Sequence, residues 1–248
     1  MGKYAALVDV SRCTACRGCQ VACKQWNENP AEKTVQVGTY QNPPDLSSLT
    51  FTIVRFKENL VGGEVVWNFF KDQCRHCLEP PCKEVAGTVT NGAVLQDASG
   101  GVVFTEKTKA IDYDEIRDAC PYDIPRQDQA TGILYKCTFC NDRIANGMLP
   151  ACIKACPTGA LSFGLREEIL KNAEMRLSVL KKTHPASRII DKDEVTWIYV
   201  LHQPEVQFQI TRRERKPSAL YALRSLTKPL GIFAMGAALV SQVARSRE

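Results

Sequence analysis

The sequence predicts an α+β fold in which two pseudo-symmetric units are nested in the chain, with a hairpin insertion between them and a helical tail after them. The chain has 248 residues, of which 44% are hydrophobic, enough for a core and too many for a disordered or fibrous protein. Its twelve cysteines fall into three tight groups, and the first and third groups complement each other across the second. Short segments rich in apolar residues flank the groups and predict short strands.

The first group of cysteines follows a predicted strand at Tyr4–Asp9 and has the spacing Cys13-x2-Cys16-x2-Cys19-x3-Cys23. Bacterial ferredoxins use such a run, in which three cysteines hold one [4Fe–4S] cluster and the fourth holds the neighbouring cluster. The run therefore predicts a partner group that returns a cysteine in exchange.

The third group supplies that partner, because it ends in a cysteine followed by Pro157, as the last cysteine of a ferredoxin run usually is. Exchange of the fourth ligand predicts two [4Fe–4S] clusters in one bacterial-ferredoxin-like unit, made of residues 1–34 and about 132–166. The expected ligands of the first cluster are Cys13, Cys16, Cys19 and Cys156. The expected ligands of the second cluster are Cys23, Cys137, Cys140 and Cys152.

The middle group departs from this pattern. Its three cysteines have the spacing C-x2-C-x4-C, and Ala86 stands where the exchanging cysteine belongs. The next cysteine is again followed by proline, but residues 112–119 before it contain no cysteine. A second ferredoxin-like unit, residues about 71–131, is therefore expected to hold a single cluster. The expected ligands of this third cluster are Cys74, Cys77, Cys82 and Cys120, which leaves no cysteine over.

Residues 35–70 are expected to form a hairpin insertion, because strand-like segments at 50–56 and 64–70 flank a Gly-Gly pair. The insertion either packs within the chain or contacts a catalytic partner. Further strands are predicted at 102–105, 160–163 and 194–201.

The region that follows, residues 167–228, reads as a C-terminal extension with a basic arm at 203–228. An amphipathic helix is predicted over Arg166–Lys182, since apolar residues recur near helical spacing before a proline. The arm is expected to lie over a partner or in solvent. Nucleic-acid binding is the alternative, but no platform of aromatic residues accompanies the arm.

The last segment, residues 229–244, contains no charged residue over its sixteen positions. This falls just short of the roughly 18 apolar residues that identify a membrane span. Its small residues suit close helix packing in lipid. We expect a single transmembrane helix, with a soluble helix packed on a partner as the alternative.

Four segments around the cysteines resemble the iron–sulfur subunits that accompany molybdopterin oxidoreductases: Arg12–Trp26, Cys74–Cys82, Ala119–Arg126 and Lys136–Arg143. Trp26 itself and the segment Gln-Asn-Pro-Pro-Asp at 41–45 are most similar to the beta subunit of tungsten- or molybdenum-dependent formate dehydrogenase, in the type that carries three clusters. The resemblance spans residues 3 to about 165.

This resemblance implies a catalytic alpha subunit that carries tungsten or molybdenum on a bis-molybdopterin, and a cytochrome of b or c type, or a quinone-reducing partner, as electron acceptor. Electrons would enter at the cluster of Cys13, pass to that of Cys137 and leave from that of Cys74. The chain itself has no G-x-G-x-x-G, phosphate loop or nucleophile elbow, so we expect no catalysis by it. The relay subunit of a nitrate, sulfur-compound or arsenic oxidoreductase is the alternative.

The expected location is the periplasmic side of the cytoplasmic membrane, with the cytoplasm as the alternative. Residues 1–10 carry no secretory leader, but the resemblance implies export together with the catalytic subunit. Six Lys or Arg residues in 212–228, against two after the apolar segment, favour the opposite orientation.

Other uses of the cysteines fit their spacing less well. Zinc sites of four thiolates group their ligands two and two, which the first run does not fit. Disulfides need an oxidising compartment. A Rieske centre needs two histidines on one iron, and only His76 lies among the cysteines. Four lysines beside cysteines either raise a cluster potential or lie in solvent, within a formal net charge of +5: Lys24, Lys83, Lys136 and Lys154.

Overall fold

In the computed structural model, residues 2–213 are described, so the predicted span at 229–244 and the rest of the basic arm lie outside the described residues. The helices are α1 (Gly18–Trp26), α2 (Pro81–Val89), α3 (Tyr113–Ala119), α4 (Asn141–Ala145), α5 (Ala151–Lys154) and α6 (Arg166–Leu180). The strands are β1 (Tyr4–Asp9), β2 (Thr52–Val61), β3 (Glu64–Gln73), β4 (Val94–Gln96), β5 (Val102–Phe104), β6 (Arg126–Gln127), β7 (Leu134–Tyr135), β8 (Leu161–Leu165), β9 (Arg188–Ile190) and β10 (Trp197–Leu201). The α+β class is confirmed. Among the helices of residues 2–213, none is long and apolar enough to cross a membrane.

The largest sheet has the strand order β8-β1-β10-β9. Strand β1 pairs antiparallel with β8 and parallel with β10. Its alternating side chains serve two faces: Ala5 and Leu7 pack against α6, whereas Ala6 and Val8 face the side that carries cysteines. A strand covered on both faces must be apolar at every position, which explains the continuous apolar run of β1.

The region predicted as an extension contributes β9 and β10 to this sheet. Strand β10 is buried along its whole length and lies beside β1, with Ile198 and Val200 toward α6 and Trp197 and Tyr199 toward the cysteines. The strand itself was predicted, but its central place depends on a parallel pairing across most of the chain. Local patterns carry no signal for such a pairing.

Strands β2 and β3 form the predicted hairpin, which is longer than expected. Thr52 pairs with Gln73 at the base and Val61 with Glu64 at the tip, where Gly62 and Gly63 both have positive φ (60° and 88°). Such a two-glycine turn matches the twist of the strands. The tip is exposed, while the base is buried and leads directly into the middle cysteine group.

A separate apolar cluster holds α2, α3 and two short hairpins together. The hairpins are β4 with β5 and β6 with β7. The cluster consists of Ala86, Ala93, Val94, Val102, Ile111, Ile116 and Leu134. Except for Leu134 of β7, its members lie in residues 71–131, which the sequence predicts as the second unit.

Candidate functional site

One group of four cysteines, which we call site 3, lines a single cavity of about 360 Å³, including space open to solvent. Its cysteines are Cys74, Cys77, Cys82 and Cys120. Most of the remaining lining is apolar, with four prolines, Val102 and Ile124. The four cysteines come from opposite ends of the second unit in the sequence, and the fold brings them together at one cavity.

A second group, site 1, lines a cavity of about 400 Å³, including space open to solvent. Its cysteines are Cys13, Cys16, Cys19 and Cys156. Among them Cys16 is exposed. Strand β1 and strand β8 hold the two ends of this group in register, because Val8 pairs with Leu161 and both residues line the cavity.

The remaining cysteines form site 2: Cys23, Cys137, Cys140 and Cys152. All four are buried. Burial raises the pKa of the Cys23 thiol well above its ordinary value, and the nearby thiolates of Cys137, Cys152 and Cys140 raise it further. Site 2 adjoins site 3, since Cys74 and Cys137 belong to one buried cluster.

Three loops of the form C-x2-C share one backbone feature. Their third residues, Ala15, His76 and Phe139, have positive φ of 53°, 52° and 63°. This left-handed conformation is strained for residues with a side chain. It turns the amide of His76 toward the sulfur of Cys74 and that of Phe139 toward the sulfur of Cys137, each at 3.4 Å. Hydrogen bonds to sulfur are one way in which a protein sets a cluster potential.

Helix starts place one cysteine of each site. Cys19, Cys82 and Cys152 are each the second residue of a helix, α1, α2 and α5 respectively. The positive end of a helix dipole favours a thiolate over a thiol. At Gly18, an added Cβ would lie 3.3 Å from the carbonyl oxygen of Ala155, so the close approach of the two helices favours glycine there.

The donor set fits iron–sulfur clusters. Burial raises the pKa of Cys82 and of Cys137 to about 12 and that of Cys19 to about 11. Such thiols stay protonated at neutral pH unless a cationic core binds them, and soft thiolates suit iron–sulfur cores. Within residues 2–213, no three Cys, His, Asp or Glu side chains converge on one metal ion. In a cubane each thiolate binds a different iron.

The three histidine rings are not gathered at one cysteine site. His76 is fully buried, and its Nδ1 accepts a hydrogen bond from the amide of Val102 at 2.8 Å. Burial lowers its pKa well below the ordinary value. His184 and His202 contact each other, with ring centroids 5.5 Å apart. A Rieske arrangement is therefore excluded.

The four lysines predicted near the cysteines divide between the two expected settings. Lys136 is buried and lines the cavity of site 3, whereas Lys24 pairs with Glu32, and the other two predicted lysines are exposed. The sequence missed Lys71 of β3, which is buried and lines the cavity of site 1. The only local feature that could have indicated Lys71 is its position as a cation within a strand-like segment that precedes a cysteine group.

Arg75 is a further residue that the sequence did not single out. Its guanidinium is 1% exposed, lines site 3, lies 4.0 Å from the ring centroid of Tyr122 and pairs with Asp191. The described start of the basic arm closes over this region, since Arg212 pairs with Asp191 at 3.0 Å and the amide of Arg213 donates to Pro121 at 2.8 Å.

Two residues that carried the resemblance have structural contacts. The indole of Trp26 donates to Asp142 at 2.8 Å, so that α1 is joined to α4. Asp45 binds Arg55 of the hairpin and Arg126 of β6 at 2.7 and 2.6 Å. Burial opposes ionisation of this carboxyl, but the hydrogen bonds from both arginines hold its pKa below the usual value.

Apolar side chains occupy the place where the absent ligand set would lie. Ala86 lies four residues after Cys82, as Cys23 lies four after Cys19, and Ile116 lies four before Cys120, as Cys152 lies four before Cys156. Helix α2 contacts α3 as α1 contacts α5. Ala86 and Ile116 are 1% and 0% exposed and belong to the same apolar cluster.

Comparison with known proteins agrees with this chemistry. Residues 65–166 match the family model described as 4Fe-4S dicluster domain. The chain is 46% identical over 202 residues to the formate dehydrogenase subunit beta of Megalodesulfovibrio gigas, covering 80% of this chain and 94% of the relative. It is 46% identical over 209 residues to the formate dehydrogenase 2 subunit beta (cytochrome c-553) of Nitratidesulfovibrio vulgaris, covering 82% and 95%. It is 37% identical over 235 residues to the nitrate-inducible formate dehydrogenase iron–sulfur subunit of Escherichia coli, covering 92% and 79%.

Proposed function

We propose, on the premise that the chain belongs to the family of formate dehydrogenase iron–sulfur (beta) subunits, that it relays electrons through three [4Fe–4S] clusters. The chain is an electron-transfer subunit and not the catalytic one. The observation that carries the proposal is the gathering of the cysteines into groups of four, two of which each line one cavity. The three cysteine groups of sites 1, 2 and 3 are the proposed ligand sets.

A [4Fe–4S] cluster held by the four cysteines of each site would supply one-electron redox chemistry there. The chain's own residues hold the thiolates, exclude water and donate amide hydrogen bonds to the sulfurs. The apolar lining of site 3 and the burial of all four cysteines of site 2 exclude water from these sites. A dry surrounding strengthens every charge interaction at the sites.

The exposure of the cysteines supports site 2 as the middle of the relay, and the direction from site 1 to site 3 follows from the family resemblance. Site 1 reaches the surface at Cys16, and site 2 is fully enclosed. Site 3 reaches an open groove of about 1000 Å³, which is lined by Cys77 and Tyr122 among others. A relay needs accessible ends and an enclosed middle, and this order supplies both.

The proposed partners follow from the family. A catalytic subunit with tungsten or molybdenum on a bis-molybdopterin delivers electrons to site 1, and a cytochrome takes them from site 3. One relative carries cytochrome c-553 in its name, which favours a c-type acceptor, and a b-type membrane subunit is the other form.

The decisive experiment combines metal analysis with one ligand substitution. Wild-type chain, purified without oxygen, should be brown and contain about twelve irons and about as much acid-labile sulfide per chain. Cys82→Ser should abolish reduction of the cytochrome by formate and leave formate-dependent reduction of a small dye largely intact. Cys16→Ser is the matched control at site 1 and should depress both activities. Equal loss of both activities in Cys82→Ser would exclude the proposed order, and zinc in place of iron would exclude the relay.

We also propose that the subunit lies on the periplasmic side of the cytoplasmic membrane and is held there by residues 229–244. The uncharged segment and the family resemblance support this proposal. Deletion of residues 226–248 should move the complex from the membrane fraction to the soluble fraction. Unchanged fractionation would exclude the anchor.

A further inference from the structure

Two lysines of residues 2–213 are buried, Lys71 and Lys136, and both line a cysteine cavity. A buried ammonium group is unfavourable unless other charges or hydrogen bonds compensate it. The groups around each lysine therefore indicate which negative charges it compensates.

Lys71 lies between sites 1 and 2. Its side chain lines the cavity of site 1, and its Nζ donates to Thr52 Oγ1 at 2.8 Å and to Gln73 Oε1 at 2.6 Å. Among the described residues, no carboxylate pairs with it, and the negative groups in its electrostatic neighbourhood are thiolates of both sites, Cys19 on one side and Cys137 and Cys152 on the other. Burial alone would lower its pKa, but the cysteines of both sites raise the pKa above the ordinary value.

Lys136 lies between sites 2 and 3. It precedes Cys137 of site 2 in the chain and donates to the carbonyl of that residue at 3.1 Å. It also donates to the carbonyl of Val102 and lines the cavity of site 3. Its Nζ lies 4.7 Å from the ring centroid of Phe104, and no carboxylate within residues 2–213 forms an ion pair with it.

Each cation is thus shared by two adjacent sites rather than assigned to one. A site with four thiolates remains negative after an oxidised cluster core contributes roughly two positive charges, and each electron adds a further negative charge. A fixed cation in a dry interior acts on charges at both sides of it, because water does not screen it.

We propose that Lys71 and Lys136 are the fixed cations of the relay, each placed between two neighbouring sites so that it stabilises an electron on either side. The proposal rests on the ligand sets of the proposed function. In each step one electron leaves one cluster and enters the next, and the charge of the lysine between them does not change. Because each cation acts on two adjacent clusters, it raises the reduction potentials of both.

The test is a potentiometric titration of the full-length chain with its clusters, followed by electron paramagnetic resonance. Lys71→Met removes the charge and retains most of the side-chain volume. It should lower the potentials of the clusters at sites 1 and 2 and leave that at site 3 unchanged. Lys136→Met should lower those at sites 2 and 3 and leave that at site 1 unchanged. A tenfold change in the reduced-to-oxidised ratio corresponds to about 59 mV for a one-electron couple.

Matched controls separate charge from packing. Lys83→Met removes an exposed charge that is adjacent to Cys82 in the chain, and solvent screening should leave all three potentials unchanged. Lys71→Arg and Lys136→Arg retain the charge, so each should lie closer to wild type than its Met counterpart. If a Met variant loses clusters at its two neighbouring sites while its Arg variant retains them, the requirement for charge is equally supported.

Three results would overturn the inference: no shift in either Met variant, an equal shift at all three sites, or loss of clusters in both the Met and the Arg variant of a lysine, which would assign it to packing. Iron analysis keeps this failure distinct from that of the proposed function. A wild-type chain with far fewer than about twelve irons contradicts the ligand sets themselves. A wild-type chain with the full iron content and no site-specific shift contradicts only the role of the lysines.

Discussion

In the first unit, α1 carries Cys19 and Cys23 one helical turn apart, whereas in the second unit α2 carries Cys82 and Ala86 at the same spacing. The helices that pack against them differ in the same way, because α5 presents Cys152 where α3 presents Ile116. In both units, two helices that carry these equivalent positions pack against each other. They differ in whether the space between the two helices holds thiols or apolar side chains.

The difference shows how a fold of this kind tolerates the absence of a cluster. Burying an isoleucine side chain contributes about 1.5–3 kcal/mol and needs no compensating charge, whereas four buried thiolates need a cationic core. In the second unit, apolar residues such as Ala86, Ile111 and Ile116 form the buried cluster to which α2 and α3 contribute. The equivalent positions Ala86 and Ile116 are both apolar and buried, so neither leaves a lone thiol without partners there.

The largest effect is expected from Cys152→Ala at site 2. Loss of this ligand should remove one cluster and lower the iron content from about twelve to about eight per chain. Because site 2 is the enclosed middle of the proposed relay, transfer from site 1 to site 3 should fall below detection. Iron analysis and formate-dependent cytochrome reduction measure the two effects. Retention of about twelve irons would contradict the assignment of Cys152.

A smaller effect is expected from Ile116→Ala at the equivalent position of the second unit. The fully buried side chain leaves a cavity, and the free energy of unfolding should fall by about 3 kcal/mol. Anaerobic denaturant titration measures this change, and the iron content should not change. Val89→Ala on the exposed side of α2 is the control and should alter stability by less than about 0.5 kcal/mol. Loss of iron in Ile116→Ala would contradict this comparison, because it would show that cluster binding depends on the side chain at position 116.

The smallest effect concerns the double substitution Ala86→Cys with Ile116→Cys. It restores two of the four absent thiols, but the second unit still lacks the C-x2-C pair that Cys137 and Cys140 supply in the first. The iron content should therefore stay at about twelve per chain. An increase to about sixteen would show that the comparison of the two units overstates the need for a complete ligand set.

The sequence was sufficient for features that depend on local pattern. Strand β1 was predicted with its observed bounds, and α6 was predicted to within two residues at its C-terminal end. The hairpin was placed correctly, but its strands run to Val61 and Gln73, because polar residues such as Lys57 continue the pairing where the apolar pattern stops.

Features that depend on long-range packing could not be predicted. Strand β10 reads as a strand, but nothing in its residues says that it pairs with β1. Lys71 and Arg75 read as surface cations by residue type, and only the folded chain places them beside sites 1 and 3. The equivalence of Ile116 with Cys152 likewise requires the helix α3, which forms in a segment the sequence described only by its lack of cysteine.

The parallel pairing of β1 with β10 has a consequence for biosynthesis. Strand β1 leaves the ribosome well before β10, so the edge of β1 that pairs with β10 stays open for roughly ten to forty seconds at ordinary rates of translation. Site 3 is complete once Cys120 has emerged, site 2 after Cys152 and site 1 only after Cys156. The nascent chain therefore exposes its earliest thiols longest, and we expect cofactor insertion to proceed from the end of the relay toward its beginning.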